Sequence, residues 1–275
     1  MPAAALALTL AAAILHATWN LLLARAKDIE SATAVALVAG TLTGVPVAIV
    51  AWNVHEAVLP YLTGASLFQL AYIALLAGAY ARADMSLVYP LARGVAPVFV
   101  LIVSVAALGA TASPEQASGV AVIACGVVLV RGLRLEAGST RGILLALAVA
   151  GCIAGYTLLD KRAIRHASPL SYFELEMLVP TIVYAGVVAR IRGRAAIRVA
   201  CTGTNAIAGI AMVFGYALIL LALERAGAPA VSAVRESSVV IATGLAAVVL
   251  HERVTPARVL GSAVVVAGIA LIALG

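Results

Sequence analysis

Two arginines, Arg93 and Arg235, lie far inside uninterrupted apolar runs of the chain. A charged side chain at the middle of a membrane-spanning helix costs about 2.5–3.5 kcal/mol, and such residues usually face a cavity or a partner. Arginine keeps its charge inside a protein, so each guanidinium needs an anion, carbonyl groups or water beside it. The pair therefore predicts a binding site for a carboxylate, phosphonate or similar anion. Structural pairing with Glu174, Glu176 or Glu236 is the alternative.

Carboxyl groups near these arginines are candidates for carrying protons. A carboxyl group in a low-dielectric interior can hold a proton, which makes Glu236 and Glu174 candidate coupling residues. Glu236 points about 100° away from Arg235 around a helix, so a direct pair between these neighbours is not guaranteed. Glu174 and Glu176 cannot share a helix face and lie within two turns of the start of their run. Their position favours a solvated place at the membrane surface, and Glu236 is equally suited to a structural role.

A polar and aromatic stripe in the first apolar run could line a substrate path. His16 and Asn20 lie four residues apart and share a helix face, with Trp19 alongside. Hydrogen bonds between helices explain the same residues equally well. Tyr89 with Pro90 predicts a local break that frees backbone carbonyls toward the cavity. Three more tyrosines are candidate cavity walls or core packing: Tyr72, Tyr156 and Tyr216.

No enzyme signature is present in the sequence. It contains no Walker sequence, no His-Glu-x-x-His and no Gly-x-Ser-x-Gly. The three cysteines, Cys125, Cys152 and Cys201, are scattered and lie near no histidine, which excludes a disulfide framework or a zinc-ligand pattern. We therefore expect no catalytic residues, no metal and no cofactor, and no self-contained ATP-driven pump.

The elements that must position these residues are membrane helices. Hydrophobic residues make up 64% of the 275, charged residues only 11%, and the mean hydropathy is +1.12. A soluble domain carries about 25% charged residues. A spanning helix needs roughly 20 apolar residues, and the sequence predicts ten. They are residues 3–23, 31–53, 64–81, 85–108, 116–132, 141–160, 169–190, 202–223, 229–250 and 257–274.

The net positive charge of the chain does not indicate nucleic-acid binding. The net charge is +6, but Lys and Arg lie almost entirely between the apolar runs, a distribution typical of membrane topology. Residues 1–9 contain no Lys or Arg, so the first run is predicted to be a retained membrane helix, not a signal peptide. The expected partners are a small-molecule substrate and the lipid bilayer. The sequence does not indicate an oligomeric state.

The chain is predicted to consist of two related five-helix halves, residues 1–137 and 138–275. Arginine, proline and glycine recur in the same order in both halves. The first set is Arg82, Arg93, Pro114, Gly119 and Gly126, and the second is Arg225, Arg235, Pro256, Gly261 and Gly268. Because five is odd, the second half must enter the membrane with opposite orientation. Inverted repeats are typical of secondary transporters, with the substrate held between the halves near the midplane.

Two segments give the chain a resemblance to a known family. They are His-Ala-Thr-Trp-Asn at residues 16–20 and His-Glu-Arg-Val-Thr-Pro at residues 251–256, the latter followed by Gly261 and Gly268. With ten spans in two halves, the chain resembles the EamA family of the drug/metabolite transporter superfamily over its whole length. The first half departs from the pattern, since Ala110 occupies the position of the glutamate. The resemblance implies a secondary transporter in a bacterial inner membrane, often an exporter of amino acids or other metabolites.

Membrane orientation and function each leave alternatives open. Twelve Lys and Arg residues lie in odd-numbered connections and four in even-numbered ones, which places both termini outside the cytoplasm. The family implies that both termini are cytoplasmic. We expect an alternating-access transporter of a small polar metabolite such as an amino acid or an organic or phosphonate anion. The alternatives are a membrane-embedded enzyme or lipid-handling protein, a cationic drug exporter, and a non-transporting subunit or receptor.

Overall fold

Apolar helices make up nearly all of the chain that the structure describes, which confirms the predicted all-helical class. The computed structural model describes residues 1–80, 85–131, 140–249 and 255–274. Its helices are α1 (Ala3–Ala24), α2 (Ile29–Val50), α3 (Leu59–Tyr80), α4 (Met85–Ala106), α5 (Pro114–Arg131), α6 (Thr140–Ala163), α7 (Pro169–Ala200), α8 (Gly203–Arg225), α9 (Ala228–Arg235), α10 (Ser237–Val249) and α11 (Pro256–Leu274). The predicted boundary between halves at 137/138 lies outside the described residues, as does most of the 251–256 turn.

The bundle is apolar outside and polar inside, as lipid requires. Val50 is 90% exposed and Leu42 67%, whereas Asp160 and Glu176 are completely buried. Among the described residues, six helices are long and apolar enough to span a membrane. They are Ala3–Leu23, Ile29–Val50, Glu56–Leu76, Thr140–Ala163, Pro169–Ala200 and Gly203–Arg225. Three shorter apolar stretches accompany them: Ala92–Ala106, Pro114–Leu129 and Val259–Ile272. The chain is an integral membrane protein.

Short polar side chains begin several helices by satisfying free backbone amides. Asp28 accepts hydrogen bonds from the amide (3.3 Å) and hydroxyl (2.6 Å) of Ser31 at the start of α2. These hydrogen bonds lower the pKa of the Asp28 carboxyl from its ordinary value. Thr202 accepts from the amide of Asn205 at the start of α8. Such caps set where the apolar helices start, and therefore how deep each interior residue lies.

Two helices depart from straight geometry, at places the sequence did not predict. α7 continues past residue 190, the predicted end of its span, to Ala200, and its two helical segments join at a kink at Gly193, with φ 82° and ψ 160°. A separate break at Glu236 divides the predicted ninth span into α9 and α10. The break predicted at Tyr89–Pro90 is wrong, since α4 runs continuously through both residues. Glu236 has φ −69° and ψ −7° and separates the end of α9 at Arg235 from the start of α10 at Ser237.

Most of the closest helix contacts join a helix from residues 1–131 with a helix from residues 140–274. The closest partners are α1 with α8, α3 with α6, α2 with α7, and α5 with α11. α4 packs on α6, while α9 and α10 pack on α1. At one end of the bundle, the connection between α2 and α3 contacts the connection between α6 and α7. We call this end the second-connection end. There the His55 amide donates to the His166 carbonyl and the Ser168 amide to the Asn53 carbonyl.

Facing glycines bring α5 and α11 into backbone contact. A Cβ on Gly119 would lie 2.9 Å from the carbonyl oxygen of Gly268, and one on Gly268 would lie 2.9 Å from the oxygen of Gly119. A Cβ on Gly126 would lie 2.9 Å from the oxygen of Gly261 and 2.7 Å from the amide nitrogen of Val265. Small residues are the usual means of close helix approach in membranes. At this crossing the neighbouring atoms are backbone, which cannot move aside.

We expect Gly126→Val to destabilise the protein by about 1–3 kcal/mol, because the new side chain forces α5 away from α11. The same change at Gly151 is the matched control, since a Cβ there meets nothing within 4 Å. Thermal unfolding of the detergent-purified variants measures both. Equal losses of stability in the two variants would show that helix propensity, not the glycine crossing, determines the effect.

Candidate functional site

Charged side chains gather in the bundle interior from four helices. Arg93 on α4 is 7% exposed and Glu236, between α9 and α10, is 2% exposed. Asp160 on α6 and Glu176 on α7 have no exposed surface. A buried ion is costly unless it is paired and hydrogen-bonded. The arrangement of their partners therefore decides which charges are satisfied.

Arg93 is neutralised by a carboxylate from the other half of the chain. Its guanidinium donates to Glu236 Oε1 at 3.3 Å, with side-chain exposures of 8% and 3%. It also donates to Nε2 of His16 on α1. The predicted alternative of a structural pair thus applies to Arg93. Glu236 Oε2 is buried and has no hydrogen-bond partner among the described residues.

Arg235 lies in aromatic surroundings and not beside a carboxylate. Its guanidinium carbon lies 5.2 Å from the ring centroid of Tyr216, a cation–π distance. The Tyr156 side chain lies near the same guanidinium. Tyr156 packs edge-on against Tyr216 with ring centroids 6.3 Å apart. Within the described part of the chain, Arg235 makes no ion pair, so its charge is available to an anion.

Asp160 is the buried acid that the sequence analysis missed. Its Oδ1 accepts from the Tyr172 hydroxyl at 2.7 Å, and its Oδ2 accepts from the Tyr216 hydroxyl. Asp160 is the last residue of the predicted sixth span, 141–160, beside the charged connection that begins at Lys161, so its depth along the run does not mark it as an interior acid. α6 in fact continues to Ala163, which carries Asp160 into the contact with α7 and α8. No sequence pattern indicates that the hydroxyls of Tyr172 and Tyr216 contact Asp160.

Glu174 and Glu176 are both buried, so the prediction of a solvated surface position is wrong. Glu176 Oε1 accepts from Gln69 Nε2 on α3 at 3.4 Å, and its Oε2 has no hydrogen-bond partner among the described residues. Both oxygens of Glu174 also lack such partners there, and the carboxyl packs against Gly44 of α2. Helices α2 and α3 cover this part of α7. That cover is a tertiary contact, so counting turns from the span's start could not reveal it.

The polar stripe of α1 divides between two surroundings. The His16 ring meets Arg93 and packs edge-on against Trp19, with ring centroids 4.9 Å apart. The Asn20 side-chain amide donates to the His16 carbonyl at 2.7 Å, a bond within its own helix. Trp19 packs against a small cluster formed by α1, α2 and α8. The side chain of Tyr89 lies outside the described residues.

Two surface pockets open at the second-connection end. The larger, about 590 Å³, lies between Asn53, Arg165 and Glu224. The smaller, about 310 Å³, is lined by Lys161 and by the start of α9 from Ala228 to Ala230. Arg235 is five residues further along α9 from Ala230, or about 8 Å of helix rise. α9 therefore leads from a pocket mouth to the unpaired arginine.

Comparison with known proteins identifies both the family and the fold. Residues 140–274 match the model of the EamA-like transporter family, which is part of the drug/metabolite transporter superfamily. A solved structure titled "Crystal structure of protein" has the same fold, with a TM-score of 0.77 and 18% sequence identity. The alignment covers 100% of this chain and 98% of the other, so the shared fold extends through the first half as well. A comparison with curated protein sequences finds no match.

We expect Glu236→Leu to cost about 3–5 kcal/mol of stability, because it leaves Arg93 buried without its carboxylate. The double variant Arg93→Met/Glu236→Leu should recover most of this loss, since it removes both charges. Glu30→Ala, which breaks the exposed pair with Arg192, is the control and should cost about 1 kcal/mol or less. Chemical or thermal unfolding measures the wild type, Glu236→Leu, Arg93→Met, the double variant and Glu30→Ala. Strictly additive losses in the double variant would contradict a direct pair.

Proposed function

The chain belongs to the EamA-like transporter family within the drug/metabolite transporter superfamily, and we propose that it is a secondary transporter of a small anionic or zwitterionic metabolite. The family consists of transporters, not enzymes. In this proposal Arg235 binds the anionic group of the substrate. The single observation that carries it is the partly buried guanidinium of Arg235, which faces the Tyr216 ring and makes no ion pair with a described carboxylate.

The chemistry around Arg235 suits an organic anion. A guanidinium presents a fork of N–H donors that matches a carboxylate or phosphonate in two-point geometry. The rings of Tyr156 and Tyr216 shield the charge from water, which strengthens its interaction with an incoming anion. A zwitterion would place its cationic group toward the acidic side chain of Asp160. Amino acids therefore fit the site alongside simple organic acids.

Alternating access between two inverted halves is the proposed mechanism. We count α9 and α10 as one span, which gives ten spans in halves 1–137 and 138–275. Replacing every helix by its counterpart five spans away then exchanges the α1–α8 pair with α3–α6 and leaves α2–α7 and α5–α11 unchanged. This reciprocity supports an inverted repeat. The glycine pairs Gly119–Gly268 and Gly126–Gly261 exchange in the same way.

The two arginines at matching positions differ in their counter-charge. Arg93 is followed by Gly94, whereas Arg235 is followed by Glu236, which reaches across to Arg93. Of the two arginines, only Arg93 is thus in direct contact with a described carboxylate, and a substrate anion would make the corresponding contact with Arg235. When the halves move, the substrate and Glu236 can exchange between the guanidinium groups. Roles for His16, Trp19, Asn20 and Tyr89 in the wall of this path stay predictions.

Export across a bacterial inner membrane is the proposed setting, as the family implies. The alternative of a surface-acting enzyme or lipid-handling protein needs ionisable groups clustered at one interface. Here Arg93, Glu236, Asp160 and Glu176 are instead buried in the bundle interior. No observation favours a second function over transport.

We expect a thermal-shift screen of the detergent-purified protein to find stabilisation by amino acids, organic acids or phosphonates. A compound that binds the folded state at 100 times its Kd adds about 2.7 kcal/mol of stability. In Arg235→Met binding should weaken about 30-fold or more, since losing one member of a buried charge contact costs about 2–5 kcal/mol. Arg192→Met removes an exposed arginine and should leave the shift unchanged.

Other outcomes of the screen separate the alternatives. Stabilisation by quaternary amines that survives in Arg235→Met would identify a cationic substrate held by the buried carboxylates. Retention of anion binding in Arg235→Met, with loss in Arg93→Met, would move the site to the other arginine. Arg235→Lys keeps the charge but not the fork, so partial recovery of binding would support two-point recognition.

Membrane orientation can be tested with Cys201, which is exposed just beyond the end of α7. In a variant lacking Cys125 and Cys152, the charge distribution predicts that a membrane-impermeant maleimide labels Cys201 only after cells are permeabilised. A cysteine placed at Asn53, at the second-connection end, should show the opposite pattern. Labelling of Cys201 in intact cells would instead place both termini in the cytoplasm, as the family implies.

A further inference from the structure

Interior charges of the described helices do not balance, and the excess is negative. Arg93 is paired with Glu236. Asp160 accepts two tyrosine hydroxyls, one of them from the Tyr216 ring that faces Arg235. Arg93 thus faces Glu236 directly, whereas Arg235 faces Asp160 across the Tyr216 side chain. Glu174 and Glu176 remain: both carboxyl oxygens of Glu174 and one of Glu176 have no hydrogen-bond partner among the described residues, and Glu176 is completely buried.

Glu176 is connected to the proposed anion site through side chains of three helices. It lies near Asp160, and Tyr172 on α7 carries the hydroxyl that donates to Asp160. Tyr216 on α8 joins Asp160 to Arg235, because its hydroxyl donates to the carboxylate while its ring faces the guanidinium. A change of charge at Arg235 therefore acts on both acids at short range. The low dielectric of the interior makes that action strong.

The ionisable neighbours of this acid pair come from every packed helix that offers one. α2 carries none along its buried length. The others are Tyr72 on α3, Arg93 on α4, Tyr156 and Lys161 on α6, Tyr172 and Glu174 on α7, Tyr216 on α8 and Arg235 on α9. Lys161 directs its amine to the carbonyls of Leu223 and Ala226, away from Glu176. Glu174 packs against Gly44 and makes no described contact with the arginines.

A proton is the species that fits this place. An isolated carboxylate in a protein interior is so costly that the group neutralises instead. Glu176 can do so by forming an O–H bond with one proton, which leaves a neutral carboxylic acid and no other change. A metal ion needs more ligands than two carboxylates. Among the described residues, no group of three His, Cys, Asp or Glu side chains is placed to hold one.

We propose that Glu176 binds a proton that is transported together with the substrate anion, an inference that depends on the proposed function of Arg235. An anion on Arg235 cancels the positive charge opposite Asp160, so the two acids then carry an uncompensated negative charge. Proton binding at Glu176 relieves it. Anion and proton therefore favour each other's binding and move in the same direction. The inward proton gradient of a bacterial inner membrane favours uptake, so the proposed export requires an outward metabolite gradient that exceeds it.

Infrared spectroscopy of the purified protein tests the proton itself, with no substrate present. We expect the wild type at neutral pH to show a protonated-carboxyl C=O band that is absent in Glu176→Gln. Glutamine is isosteric with the protonated acid, so this variant should fold. Glu174→Gln, the matched change two residues away, should keep the Glu176 band. An unchanged set of carboxyl bands in Glu176→Gln would overturn the inference whatever the substrate is.

Transport by proteoliposomes tests the coupling, with a radiolabelled mixture of the common amino acids as the probe. The wild type and Glu30→Gln, the matched change of an exposed glutamate, should exchange label across the membrane and accumulate it when the outside is acidified. Glu176→Gln should retain exchange and lose the acid-driven accumulation. Exchange without such accumulation in the wild type would reject coupling while supporting the transporter. Absence of exchange in the wild type would count against amino acids as the substrate, and the infrared result would then decide the role of Glu176.

Discussion

Neutrality of charge in a dry interior is the constraint on which this structure depends. Lipid surrounds the bundle, so ionisable side chains can be placed only inside, where each must find a partner. Arg93 finds Glu236 and His16, Asp160 finds two tyrosine hydroxyls, and Arg235 finds aromatic rings. The pairs join helices that are far apart in sequence. Removing one charge therefore disturbs the packing between halves as well as the local contact.

Close helix crossings and one helix break make this neutrality possible. Facing glycines bring α5 against α11, while Gly40 and Gly209 bring α2 against α8. Neighbouring residues in a regular helix point about 100° apart, which would turn Arg235 and Glu236 toward different surroundings. The helix break at Glu236 interrupts this regular spacing, and the Glu236 side chain is buried beside Arg93. The strength of the Arg93 pair thus depends on a backbone feature in the other half.

Much of the fold and part of the site could be predicted from sequence, for identifiable reasons. Arg93, Arg235 and Glu236 lie deep within apolar runs, and depth along a run is a local property. Asp160 stands at the end of its run, where depth gives no signal, and Glu176 lies near the start of its run, where depth predicts a place at the surface. Their burial comes from α2, α3, α7 and α8 closing over them. The break was expected at Pro90, yet helices can continue through proline in membranes because neighbouring groups satisfy the freed carbonyl.

The two related halves differ in the residue that follows the buried-run arginine, Gly94 after Arg93 and Glu236 after Arg235. This difference favours the binding of an anion. A fully symmetric repeat with an acid beside each arginine would be neutral and would gain little from a charged substrate. Here the first half has Gly94 where the second has Glu236, so the single acid is committed to Arg93. Asp160 only partly compensates Arg235, because Tyr216 stands between them. An anion that binds Arg235 neutralises the positive charge of its guanidinium. Asp160 and Glu176 then carry a negative charge that Arg235 no longer compensates. Substrate binding and proton binding are then two parts of one electrostatic adjustment.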